Sequence, residues 1–165
     1  MPTPNTEKSF SLQQVYQHLE AVCSAHVSVA HFDSGTEDEL GGRKDYAYPL
    51  AYLEEVLAIQ EDDSTRTNTY DVALNILDLV PASATRSERI AVQDKCFQIF
   101  TEIKQYLRDR VFGQQRVKGF NVSVFPDYSN DAAVRIRGEF RIQVGSIFTT
   151  RTPGSDLTAL FPTLP

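Results

Sequence analysis

Cationic residues are scarce in this chain: 16 Lys and Arg stand against 22 Asp and Glu over 165 residues, for a net charge of −6. That balance excludes a protein whose main task is to coat DNA, because such affinity comes from Lys and Arg neutralising phosphates. It leaves room for a local basic stripe on an acidic body. Cysteine is nearly missing. Cys23 and Cys96 both fall on apolar faces of helix-forming segments, which reads as two buried free thiols packed as small hydrophobes. A structural disulfide is not expected without secretory signs. Long apolar runs are also missing. Nothing approaches the ~20 residues that span a bilayer, and the opening "MPTPNTEKSF" lacks the apolar core of a signal peptide. The expectation is a soluble protein, with no membrane partner, that matures in a reducing compartment.

The motifs of common chemistries are equally thin. His18, His26 and His31 are the three histidines. His31 and Asp33 can share a strand face, but a metal site needs three or four convergent ligands. "DSGTEDELGG" (33–42) has glycines but no GxGxxG or GxxxxGK[ST] pattern, and its acidity suits no phosphate cradle. It also lacks EF-hand spacing. Glu54 and Glu55 are adjacent on a strand end and point apart, which makes a poor acid–base pair. The reading is therefore no catalytic residue, no metal and no cofactor.

What is present is material for a core. Hydrophobic residues make up 41% of the chain, with 10 Phe and 7 Tyr, and a chain this long buries roughly two-thirds of its unfolded surface. In "FSLQQVYQHLEAVC" (10–23), Ser11 and Gln14 form a capping box, Phe10 and Val15 hold the staple positions, and apolar residues recur at helical spacing. "HVSVAHF" (26–32) reads as a short strand with Val27 and Val29 on one side. A Gly-rich acidic loop follows. "YPLAYLEEV" is a second strand, with Pro49 near its start, and "IQEDDSTRTN" a polar loop or hairpin tip. "TYDVALNILDLV" (69–80) alternates strongly. Thr85 and Glu88 offer a second capping box, with Ser87 competing, for a helix over 88–110. Its expected buried stripe is Val92, Cys96, Ile99, Phe100, Ile103, Tyr106 and Leu107.

The cleanest alternation lies in "DAAVRIRGEFRIQVG" (131–145). Val134, Ile136, Gly138, Phe140, Ile142 and Val144 form one face; Arg135, Arg137, Glu139, Arg141 and Gln143 form the other. With "KGFNVSVF" it makes a β-hairpin over 118–145. The order is α-β-β-β-α-β-β. Short links favour antiparallel pairing, so the expected fold is α+β: a mostly antiparallel sheet of about five strands packed on one face by two helices. The domain spans 10–145, between a flexible arm (1–9) and an extended arm (146–165).

The arginine row has three readings. It is a solvated face, a nucleic-acid contact without aromatic platforms, or a subunit interface that meets acidic residues such as Glu37, Asp38 and Glu39, or 61–63, of a neighbour. On the interface reading, reversing the charge of Arg135 and Arg137 should block assembly and spare the fold. The last twenty residues carry Phe148, Leu157, Leu160 and Phe161 among three prolines and a glycine. Such a segment packs on its own domain, stays disordered, or reaches a partner by adding to a sheet edge.

The order of elements, with "FDSG", "YPLAYLEE", "YDVALNILDLV" and "SERIAVQDKCFQIFTEIKQYLRD", resembles small tail-terminator and neck proteins of tailed bacteriophages, especially those of Bacteroidetes-type phages. The resemblance covers residues 10–145, with "YP" and "LDLV" as its most specific pieces. It implies a non-enzymatic virion protein, assembled in the host cytoplasm. Such a protein forms a homo-oligomeric ring, commonly a hexamer, that caps the tail tube and joins it to the connector on the portal side. Genomic DNA would pass through the lumen without specific binding. Tube and cap subunits of phage-like contractile injection systems share this implication. The competing expectations are a monomeric binding or adaptor domain that uses the 118–145 hairpin, and a small enzyme whose site is scattered in sequence.

Overall fold

The computed structural model describes residues 10–42, 45–128 and 133–145. Helix α1 (Leu12–Ala25) opens with the expected capping box: Gln14 N donates to Ser11 Oγ at 3.2 Å, and Ser11 N donates to Gln14 Oε1 at 2.8 Å. Two of the amides left orphaned at the helix start are thereby satisfied. Strand β1 (His31–Gly35), helix α2 (Glu37–Gly42) and strands β2 (Leu50–Glu54), β3 (Ala58–Asp62) and β4 (Thr67–Leu79) follow. Helix α3 (Arg86–Tyr106) is capped by Thr85 and Glu88 rather than by Ser87. It runs on into a π-helical turn, Leu107–Val111. Strands β5 (Val117–Tyr128) and β6 (Ala133–Gly145) close the order.

The fold is α+β, with six strands in one sheet. The order is β1-β2-β4-β6-β5, and β3 pairs with β4 beside β2. Long β4 thus serves two partners on one edge, β2 through Leu74–Leu77 and β3 through Thr67–Asp71. Its other edge pairs with β6 along its whole length, Thr67 opposite Gly145 and Leu79 opposite Ala133. The polar 58–66 stretch is therefore a sixth strand and its turn. In that turn Asp62 Oδ1 accepts from Ser64 and Thr65, and Arg66 has a positive φ of 54°.

Three expectations need correcting. The first strand begins at His31, and Val27 lies in the preceding turn, 99% exposed. β1 and β2 pair in parallel. Their link is long enough to hold α2, and a crossover with a helix returns the chain in the same direction. The second sheet face is also not bare. α1 and α3 cover one face, where Val15, Leu19, Cys23, Cys96, Phe100 and Ile103 pack on the alternating apolar residues of β2, β4 and β6. On the opposite face a smaller cluster joins Leu40 of α2 to Leu50, Tyr52 and Leu77.

Gly138 explains how closely α3 approaches. It occupies the core-facing row of β6 between Ile136 and Phe140, and a Cβ there would overlap the ring of Phe100. The missing side chain makes room for an aromatic ring from the helix. No helix among the described residues is long and apolar enough to cross a membrane.

Candidate functional site: the arginine face of the sheet

Strand pairing sets the arginine row against specific neighbours. Across β4 and β6, Leu77 lies opposite Arg135, Asn75 opposite Arg137, Ala73 opposite Glu139 and Asp71 opposite Arg141. β2 adds Tyr52 beside Asn75, and β5 adds Ser123 beside Arg137 and Phe125 beside Arg135. The row is therefore roofed by the chain's own side chains at one end and open at the other.

At the closed end lies a network centred on Glu54. This carboxylate accepts from Arg137 Nε at 2.7 Å and Arg137 Nη2 at 2.8 Å, a two-pronged fork. It also accepts from Arg135 Nη2 at 3.1 Å and Asn75 Nδ2 at 2.9 Å. Arg135 is 1% exposed. Its Nε donates to Asn75 Oδ1 at 2.7 Å, its Nη1 to Glu37 Oε1 at 2.8 Å, and its guanidinium stands 4.9 Å from the Phe125 ring centre. Arg137 completes its set with Glu139. Burial pushes the Glu54 carboxyl up. Hydrogen bonds from Arg137 and Asn75 and the charges of both guanidiniums outweigh it and hold the pKa below the ordinary value. Arg137 moves the opposite way: its bonds to Glu54 raise its already high pKa.

The row thus divides. Arg135 and Arg137 are held by carboxylates of their own chain. The pairing foreseen between the row and residues 37–39 exists, but Arg135 and Glu37 make it within one chain. Arg141 is different. It is 59% exposed on its side chain and meets Asp71 at 3.1 Å. Asp38 and Glu39 are exposed on α2. Phe148, Leu157, Leu160 and Phe161 lie outside the described residues.

Glu54 and Asn75 are the residues that sequence reasoning missed. Their signal was available: Leu50, Tyr52 and Glu54 alternate onto one face, as do Asp71, Ala73 and Asn75. Only the register sets those rows beside the arginines. Glu54 and Glu55 do point apart, one buried and one exposed.

No protein-family model matches this chain, and no curated protein matches it in sequence.

Among the described residues, the three histidines sit in separate places. His18 packs edge-on against Phe10 and Phe112 at 5.2 and 6.0 Å. His26, at the C-terminal end of α1, pairs with Glu102 of α3 at 2.8 Å. His31 and Asp33 both meet Tyr46, through its ring and its hydroxyl. Among the described residues, no group of three or more His, Cys, Asp or Glu could hold a metal ion. Burial pushes both thiols, Cys23 and Cys96, up to about 12.

Charge is segregated on the scale of the whole sheet. Residues 31–66, which form the β1–α2–β2–β3 side, hold ten acidic and three basic residues. Glu37, Asp38, Glu39, Glu61, Asp62 and Asp63 are all exposed. Residues 104–128, the end of α3 with its π-helical turn and β5, hold five basic and two acidic residues. Arg110 and Lys118 are exposed there, and Lys118 lies opposite Arg141 across the ladder. The strand order puts β1 and β5 at the two ends of the sheet.

Proposed function

We propose that the chain is a structural ring subunit of a tailed-phage neck or tail, retained in the virion, that caps the tail tube and joins it to the connector. One observation carries this reading: acidic residues concentrate on the β1–α2–β2–β3 side and basic residues on the end of α3, its π-helical turn and the start of β5. A subunit with different, complementary ends associates head to tail, and such a heterologous contact closes into a ring when the rotation allows it. Charge complementarity sets the register of the contact and speeds encounter. The interface pairs Glu61, Asp62, Asp63 and the α2 acids of one subunit with Arg110, Lys118 and Arg141 of the next. Other acidic loops turned toward a lumen would let DNA slide through unbound. The resemblance in element order to tail-terminator and neck proteins supports the same reading.

The test is mass in solution by light scattering over a wide concentration range, with negative-stain images of the same sample. The expected result is a closed ring of identical subunits whose population falls as salt rises, since exposed charges are screened over a Debye length of about 8 Å at 0.15 M. A monomer at every concentration, and still a monomer after tail-tube and connector proteins are added, would overturn the reading.

A further inference from the structure

The outer surface of the helical layer carries a groove of about 570 Å³ between α1 and α3. Its floor and walls are apolar, from Ala21, Val22 and Ala25 of α1, Ile103 of α3 and Val111 of the π-helical turn. Its polar members include His18 and the pair His26 and Glu102, joined at 2.8 Å. Tyr106, expected in the buried stripe of α3, instead lines the groove and is 55% exposed, and Val27 lines it from the turn after α1. Two large side chains thus stand in water beside an apolar trough, the mark of a surface that lacks its cover.

The chain itself supplies a cover of the right chemistry. Leu157, Leu160 and Phe161 in "SDLTALFP" follow i, i+3, i+4 spacing, the pattern by which an amphipathic turn anchors in a groove. The point of departure is close. Gly145, the last residue of β6, accepts from Phe10 N at 3.4 Å. The Phe10 ring packs at 5.2 Å on His18, which also lines the groove. The described chain therefore ends within one layer of side chains of the groove. The twelve residues from Gly145 to Leu157 reach about 40 Å when extended, whereas the groove follows α1 for only about 10 Å from His18 to Ala25. A tether that spans its site easily gives an effective concentration in the millimolar range, so the chain's own segment outcompetes a free one.

We propose that this groove is the seat of the chain's own C-terminal segment, with Leu157, Leu160 and Phe161 anchored between α1 and α3. The segment would then be held on its own subunit rather than offered to a neighbour. The inference is independent of the ring reading, because it concerns one chain whether or not that chain assembles. Methyl NMR of the full-length protein tests it. Expected are contacts (nuclear Overhauser effects) from the Leu157 and Leu160 methyls and the Phe161 ring to the methyls of Ala21, Val22 and Ala25. The full-length L160D/F161D variant should lose them and shift the groove methyls, while the β4 and β6 methyls stay in place. A sample mixed from isotope-labelled and unlabelled chains separates the sources. Contacts between chains in the mixture would overturn the proposal in favour of a neighbour's arm. Absent contacts in the wild type, with groove methyls unmoved in the variant, would overturn it in favour of a different occupant.

Discussion

Arg135 and Arg141 have the same side chain on the same face of the same strand, and their environments give them opposite weights. Arg135 is buried and bonded to Asn75, Glu37 and Glu54, so its removal leaves Glu54 and Asn75 short of a partner away from water. Arg135→Ala should cost about 3–5 kcal/mol, the usual penalty for breaking a buried pair. Arg141→Ala, at an exposed pair, should cost no more than about 1 kcal/mol. Urea unfolding of both variants checks this. Charge reversal of Arg135 and Arg137 to Glu would set carboxylates against Glu54, so the expected result is loss of the fold rather than a folded protein that cannot assemble. The pH dependence follows from Glu54. Its folded pKa lies below its unfolded value, so its contribution is complete above the unfolded pKa of about 4.3 and is lost as pH falls through the folded one. Glu54→Gln should flatten the acid limb of a stability–pH curve. An acid limb unchanged in that variant would show that other carboxylates govern acid unfolding. The arginine row was legible in the sequence because a strand has a period of two. Its partners were not, because Glu54 and Arg137 are 83 residues apart and only strand register joins them.

At the scale of elements, the caps and the closest packing carry the stability. Thr85→Ala removes the hydroxyl that accepts from Glu88 N and should cost about 1 kcal/mol. Gly138→Ala should cost more, about 1–3 kcal/mol, because the new methyl must displace a ring buried in a packed core. Thermal unfolding of the two variants ranks them. Cys23 and Cys96 are buried, with thiols pushed up to about 12. Iodoacetamide should leave both unmodified in the native protein and alkylate both after unfolding in guanidinium. Rapid native labelling would mean that α1 or α3 detaches from the sheet. The capping boxes of α1 and α3 were readable because every participating residue lies within four positions. β3 was less so: its five residues are all exposed, and its pairing to β4 supplies what its composition does not.

Across the whole molecule, the distribution of charge matters more than its sum. A net charge of −6 conceals an acidic β1–α2–β2–β3 side and a basic stretch over 104–118. Replacing Arg110 and Lys118 with Glu should weaken assembly, with little effect on the fold because both are exposed. Placing Lys at Glu61, Asp62 and Asp63 in a second variant should restore mixed assembly between the two. Light scattering of each variant and of their mixture reads the outcome. If the mixture stays monomeric while wild type assembles, the charged ends are not the contact.

By itself the sequence determined what depends on neighbours in the chain. Alternation named β4 and β6, three-to-four-residue spacing named α1 and α3, capping chemistry placed their starts, and the element order indicated α+β. Each rests on interactions within a few residues. The tertiary structure decided what depends on distant segments meeting. It made β1 and β2 parallel, gave β4 two partners on one edge, and set Arg135 and Arg137 in a network with Glu54 and Asn75. It also left Tyr106, apolar and at helical spacing, facing a groove instead of the core. Periodicity tells which residues share a face; it carries no information about what that face will meet.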